Sequence, residues 1–233
     1  MSEEQIPAVF RRQRVAPRRT ISDAIGGQTA ATALGALEQG MEVFGFTMGQ
    51  FSVIHLLAAI LAQTGPADVT ISTWTAASRE IDVAYNLLRD GRVRSLRFLV
   101  DFSFPRRQPR YCEQLRERFG DACLRVTKSH AKFLLIRNET WNLCVRTSMN
   151  LNENTRFETF EVSDDLAMAE FLESVVAMVF RTQGESEGFT RRPSENTAEF
   201  DLFGRDPDRN FGDEASRFGA TLDDANSPGF SVV

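Results

Sequence analysis

Lys128-Ser-His-Ala-Lys-Phe-Leu-Leu-Ile-Arg137 joins a polar, basic pentapeptide to an apolar run. Such a run bounded by polar residues reads as a strand, so one is expected over residues His130 to Arg137. Strand side chains alternate between faces, which puts Lys128, His130 and Lys132 on one side and Ser129 and Ala131 on the other. The composition makes the pentapeptide unusual. Of 27 basic residues only Lys128 and Lys132 are lysines, and His130 is one of two histidines, the other being His55. A compact ammonium beside an imidazole suits a phosphate oxygen. The plain alternative is chance in an arginine-biased chain.

Upstream of this stretch the apolar pattern alternates in type. Met41 to Thr47 reads as a strand, Gln50 to Gln63 as a helix and Asp68 to Trp74 as a β-branched strand. Ser78 to Leu88 reads as a capped helix closed by Gly91, Ser95 to Phe102 as a strand, and Gln108 to Phe119 as a helix stopping at Gly120. Downstream the helices give way to strands: Cys123 to Val126, His130 to Arg137, Trp141 to Asn150 and Phe157 to Val162, with a hairpin turn at Asn138-Glu-Thr140. A last helix, Asp165 to Phe180, carries apolar residues at helical spacing and is expected to lie on the sheet. The pattern predicts an α/β fold, a mixed β-sheet flanked by helices on both faces, over residues 20–182.

Thr147-Ser-Met-Asn150 places the hydroxyl of Ser148 and the amide of Asn150 two residues apart, donors suited to an oxyanion. Glu158, on the next strand, is expected to orient the His130 imidazole by accepting its second N–H. In this order, His130-Ala-Lys132, Thr147-Ser-Met-Asn150 and Glu158 resemble the H-x-K…G-S-x-N…E signature of the phospholipase D superfamily. The element order from about Met41 to Phe180 is similar to that of its single-motif bacterial endonuclease members.

The resemblance implies a phospholipase D-like fold and a metal-independent phosphodiesterase, most simply a non-specific nuclease. His130 would be nucleophile or acid, Lys132, Ser148 and Asn150 the phosphate clamp, and Glu158 the orienter, with no cofactor and no metal. One motif supplies one such histidine where the chemistry takes two, so a symmetric homodimer is implied. Where the family has Asp seven residues after the His this chain has Arg137, and where it has Gly before the Ser it has Thr147. The interval from His130 to Ser148 is about three residues longer than the family's, which calls for a longer or bulged hairpin at Asn138. A catalytically inactive nucleic-acid-binding or adaptor protein that uses the same cleft and recruits a partner through its tail stays open beside the enzyme.

The chain's 233 residues carry a net charge of −5, unevenly spread. From Glu185 onward eleven acids face five arginines, about −6 for that segment, so the remainder is near neutral. Residues 1–19 read as a basic flexible arm, and its Arg11, Arg12 and Arg14, with Lys128 and the cluster Arg106, Arg107 and Arg110, suit a polyphosphate backbone. A solvated leader and a solvated loop are the plain alternatives. Residues 183–233 read as a disordered acidic tail with isolated phenylalanines. Within it Glu199-Phe-Asp-Leu-Phe203 resembles the Q-L-[SD]-L-F peptide by which bacterial replication and repair proteins dock on the sliding clamp, and Asp201, Leu202 and Phe203 carry the match. No apolar run is long enough to span a bilayer, and the start lacks the pattern of a secretory leader, so no membrane partner and a cytoplasmic location are expected. Three cysteines without paired spacing read as reduced thiols.

Overall fold

Leu134, Leu135 and Ile136 are apolar in succession, as a strand covered on both faces requires, and all three are buried in the computed structural model. The structure describes residues 18–23 and 29–189. Arg11, Arg12 and Arg14 of the arm, and Asp201, Leu202 and Phe203 with the rest of the tail from residue 190, lie outside the described residues. Every described residue belongs to one unit, Met1–Leu202.

The elements run β1 (Arg18–Asp23), α1 (Ala30–Leu34), β2 (Met41–Thr47), α2 (Val53–Thr64), β3 (Ala67–Thr73), α3 (Ser78–Arg89), β4 (Val93–Asp101), α4 (Phe104–Arg107), α5 (Pro109–Phe119), a 3₁₀ turn (Asp121–Cys123), β5 (Leu124–Thr127), β6 (Phe133–Arg137), β7 (Asn142–Thr147), β8 (Glu158–Asp164) and α6 (Leu166–Thr182). They form an eight-stranded sheet of order β1-β2-β8-β7-β6-β3-β4-β5. The pairs β1/β2, β3/β4 and β4/β5 are parallel, and the others are antiparallel. The fold is α/β with helices on both faces. Leu134, Ile136, Ile71, Phe98 and Val145 face one core with residues of α1 to α5, including Ile54, Ile81 and Leu115. Phe133, Leu99, Leu135 and Cys144 face the other, where α6 presents Ala169, Leu172, Val176 and Val179. Each such aliphatic side chain removed from water contributes about 1.5–3 kcal/mol before entropy is subtracted. A two-pronged ion pair, Arg97 on β4 to Glu173 on α6 at 2.8 and 2.6 Å, fixes the helix along the sheet.

The strand directions put one set of ends together. Thr47, Thr73, Asp101, Thr127 and Thr147 close β2, β3, β4, β5 and β7 at the same edge of the sheet, where Phe133 and Glu158 open β6 and β8. Ligands of α/β sheets are bound at such an edge, because the loops leaving the strands converge there.

Several expectations are corrected. Arg18 and Arg19, assigned to the arm, belong to β1, whose parallel pairing with β2 draws them into the sheet. The short helices α1 and α4 escape periodicity because each is about one turn long. The β6/β7 ladder pairs Phe133 with Arg146 through Arg137 with Asn142 without a register shift, and the turn closes with Asn138 N–H donating to Trp141 O at 3.1 Å. The hairpin is therefore neither bulged nor long. Order continues beyond residue 182: Ser186 donates to Asp121, and the Arg116 guanidinium lies 5.0 Å from the Phe189 ring.

Candidate active site

His130 is not on a strand. β5 is the edge strand and β6 lies three places inward, beyond β4 and β3, so the chain between Thr127 and Phe133 must cross the ends of two strands. Three strand spacings are about 14 Å, and the six steps available reach about 20 Å when extended. The connection is thus an extended strap laid across the strands rather than a member of the sheet. Extended chain alternates like a strand, which is why the sequence reads as one. Ladder pairing begins only at Phe133, opposite Ser72 and Arg146, and the Ser72 hydroxyl pins the strap by donating to Ala131 O at 2.9 Å.

The strap carries His130 and Lys132 to the end of β3. Lys132 Nζ lies 3.2 Å from His130 Nδ1, 3.4 Å from its Nε2 and 2.8 Å from its carbonyl oxygen, so the two side chains share a side as expected. The imidazole meets the Trp74 indole edge to face, with ring centroids 5.5 Å apart. Lys128 is exposed at the start of the strap, just past β5.

From the other direction the loop after β7 returns toward β3. Leu151 is fully buried and fastens it: its N–H donates to Thr73 Oγ1 at 3.0 Å and Thr75 O at 3.2 Å, and Ala77 N–H donates back to Leu151 O at 2.9 Å. That anchorage places Asn150 so that its Oδ1 accepts the Trp74 N–H at 3.2 Å. Ser148, at the end of β7, donates to one Glu158 oxygen, and Asn154 Nδ2 donates to the other at 3.0 Å. Thr159 N–H in turn donates to Ser148 Oγ at 2.9 Å. Glu158 therefore holds Ser148 and Asn154, and the expected bond to His130 is replaced by Lys132 and Trp74.

The five candidate residues meet at one edge, linked pairwise through Trp74 and Glu158. Burial pushes the Lys132 ammonium below its ordinary value, while the nearby carboxylates Glu158 and Asp101 push it back up. Asp101, buried at the end of β4, is committed to the Ser103 N–H at 2.9 Å and to its hydroxyl. The result is an ammonium beside an exposed imidazole, within the field of two carboxylates, with the Ser148 hydroxyl and the Asn150 amide at the same sheet edge. This arrangement can bind a tetrahedral oxyanion.

Sequence reasoning missed Trp74 and Asp101. Both end apolar strands, and only the tertiary path of the strap brings His130 to Trp74 and Lys132 into the field of Asp101. Of the arginine cluster, Arg107 joins the site: its guanidinium lies 3.6 Å from the Trp74 ring centroid. Arg106 sits over Phe102 at 5.4 Å. Arg110 lines a separate groove on α5 with Ser78, Glu113, Gln114 and Glu117. Arg137, at the position of the family's Asp, lies at the opposite end of β6 and donates to Asn142 Oδ1 at 3.1 Å. His55 is half-buried at the start of α2, accepting the Ser52 N–H at 3.2 Å. Among the described residues no group of three or more His, Cys, Asp or Glu is placed to hold a metal ion, and no helix is long and apolar enough to cross a membrane.

No family model and no curated protein matches the chain. Solved structures similar to it include a polyphosphate kinase from Porphyromonas gingivalis (TM-score 0.45, 16% identity, 64% of this chain and 27% of that one). Two others are Nuc from Salmonella typhimurium, a phospholipase D family member (0.45, 12% identity, 60% and 93%), and NucT from Helicobacter pylori (0.44, 12% identity, 60% and 96%). The chain thus spans about a quarter of the kinase's length. At these TM-scores the functional argument rests on the chain's own residues.

Proposed function

We propose that this chain is a metal-independent phosphodiesterase of phospholipase D type, acting on nucleic acid as a homodimer. The observation that carries the reading is the meeting of His130 and Lys132 with Ser148, Asn150 and Glu158 at one sheet edge, although they come from the strap, the loop after β7 and the start of β8. In this reading a phosphate seats against Lys132, Ser148 and Asn150. Lys132 must then leave the imidazole nitrogens for a phosphate oxygen, which frees the nitrogen lone pair. That nitrogen attacks phosphorus, the bond from phosphorus to the leaving oxygen breaks, and the leaving oxygen takes a proton from a second imidazole. Water then cleaves the phosphohistidine and returns a proton to the second imidazole. The chain's other histidine, His55, is engaged with Ser52 on α2, so the second imidazole is His130 of another copy.

One observation favours the silent alternative, a nucleic-acid-binding or adaptor protein. Glu158 bonds Ser148 and Asn154, which leaves no carboxylate on the imidazole in this state.

Turnover separates the two. Labelled single- and double-stranded DNA and RNA are incubated with the chain in excess EDTA, beside His130→Ala. Cleavage that survives EDTA and falls by more than about 10³-fold in the variant is the expected result. Binding without cleavage by either protein overturns the enzymatic reading in favour of the alternative.

A further inference from the structure

Arg107 is exposed, yet its guanidinium is fixed. Nε donates to Ser103 Oγ at 2.9 Å, Nη2 donates to Trp74 O at 3.0 Å, and the group lies over the indole at 3.6 Å from its centroid. Trp74 in turn touches His130. The guanidinium is thus held against the aromatic ring beside the site.

A second pair of the same kind stands alongside. Phe102, 37% exposed, carries Arg106 at 5.4 Å. Thr73 and Val100 are direct partners in the β3/β4 ladder, so Trp74 follows in register with Asp101 and Phe102 lies one residue further along the neighbouring strand end. Core packing does not account for an exposed arginine held over a half-buried indole that itself meets an exposed imidazole.

We propose that Trp74 and Arg107 form a ledge on which an unpaired nucleobase stacks while its phosphate faces His130. Bases stack on guanidinium planes and aromatic rings without regard to sequence. In a duplex those base faces are already stacked, so the ledge takes single strands or extruded nucleotides. The proposal rests on the nucleic-acid reading above, but it concerns recognition of the base rather than the chemistry of the phosphate.

The test uses the chain's own fluorescence. It has two tryptophans, and Trp141 lies in the β6/β7 turn at the opposite end of the sheet, so the Trp141→Phe protein reports on Trp74 alone. It is titrated in EDTA with an oligothymidylate of about six nucleotides and with an abasic deoxyribose-phosphate chain of the same length, a site size ordinary for one binding surface. Stacking predicts that the base-bearing oligomer alone changes the Trp74 emission and binds about tenfold or more tightly than the abasic chain. Arg107→Lys, which keeps the charge and loses the plane, should remove that preference, so that the two oligomers bind alike. Equal binding of the two oligomers, or a preference that survives Arg107→Lys, overturns the ledge, as does binding of neither. Base-dependent binding without EDTA-resistant cleavage supports the ledge while defeating the phosphodiesterase reading, so the two fail separately.

Discussion

Gly49 offers a quantitative test of how the site loop is held. Its φ is +88°, and a Cβ built there would lie 2.5 Å from Asn154 O and 2.9 Å from Thr155 Cα, both backbone atoms. Gly65 has a similar φ of +79° with nothing within 4 Å of its Cβ position. Substitution by alanine at either residue incurs the left-handed backbone cost, about 1–2 kcal/mol. At Gly49 the loop before β8 must also move, and overpacking of this kind adds about 1–3 kcal/mol. The sums are therefore about 2–5 kcal/mol for Gly49→Ala and about 1–2 kcal/mol for Gly65→Ala. For a domain of this size each kcal/mol lowers Tm by about 2–4 °C, giving losses of about 4–20 °C and about 2–8 °C. Thermal unfolding of the two variants side by side, followed by circular dichroism, removes the shared backbone cost and isolates the contact with Asn154 and Thr155. A Gly49→Ala protein that melts with or above Gly65→Ala refutes the reasoning, because the loop would then yield without cost.

Two further outcomes follow from ionisable groups. The Arg116 guanidinium, and after it the Ser186 hydroxyl, lower the Asp121 carboxyl from 3.8 to about 2. A carboxyl depressed in the folded state contributes stability above its unfolded value and loses it as pH falls through the folded one, so this contribution should fade between about pH 4 and pH 2. Asp121→Asn should flatten stability over that window, measured by urea unfolding at stepped pH, and an unchanged slope would argue against the pair. Burial pushes the Cys112 and Cys144 thiols up to about 12 and the Cys123 thiol to about 11. A disulfide reagent at about pH 8 should accordingly label none of the three quickly until denaturant is added, and prompt labelling of the native chain would contradict their burial.

Much of the fold was legible because its physical signal is local. The run Phe133–Arg137 and the helix Leu166–Thr182 are found where periodicity puts them, since a buried strand and a one-sided helix each leave an imprint on neighbouring residues. β1 was hidden because its stretch is polar and arginine-rich, and only its pairing with β2 makes it a strand. The Ser78 helix begins one residue after its N-cap, Ala77, which makes no side-chain capping bond, so the expected cap had no counterpart. The candidates His130, Lys132, Ser148, Asn150 and Glu158 lie at one edge of the sheet. Their geometry was misread at Glu158, because carboxylate partners depend on how the loop through Leu151 is fastened to β3.

By itself the sequence determined which side chains are candidates for the chemistry and that the fold is a two-faced sheet. The scarcity of lysine and histidine and the apolar runs are properties of the chain, available before it folds. Only the tertiary structure decided that the strap from Thr127 to Phe133 crosses two strand ends, and so brings the imidazole to Trp74, which carries Arg107, and Lys132 into the field of Asp101. Strand order sets that path, and strand order follows from pairings between residues far apart in sequence, which no local pattern records.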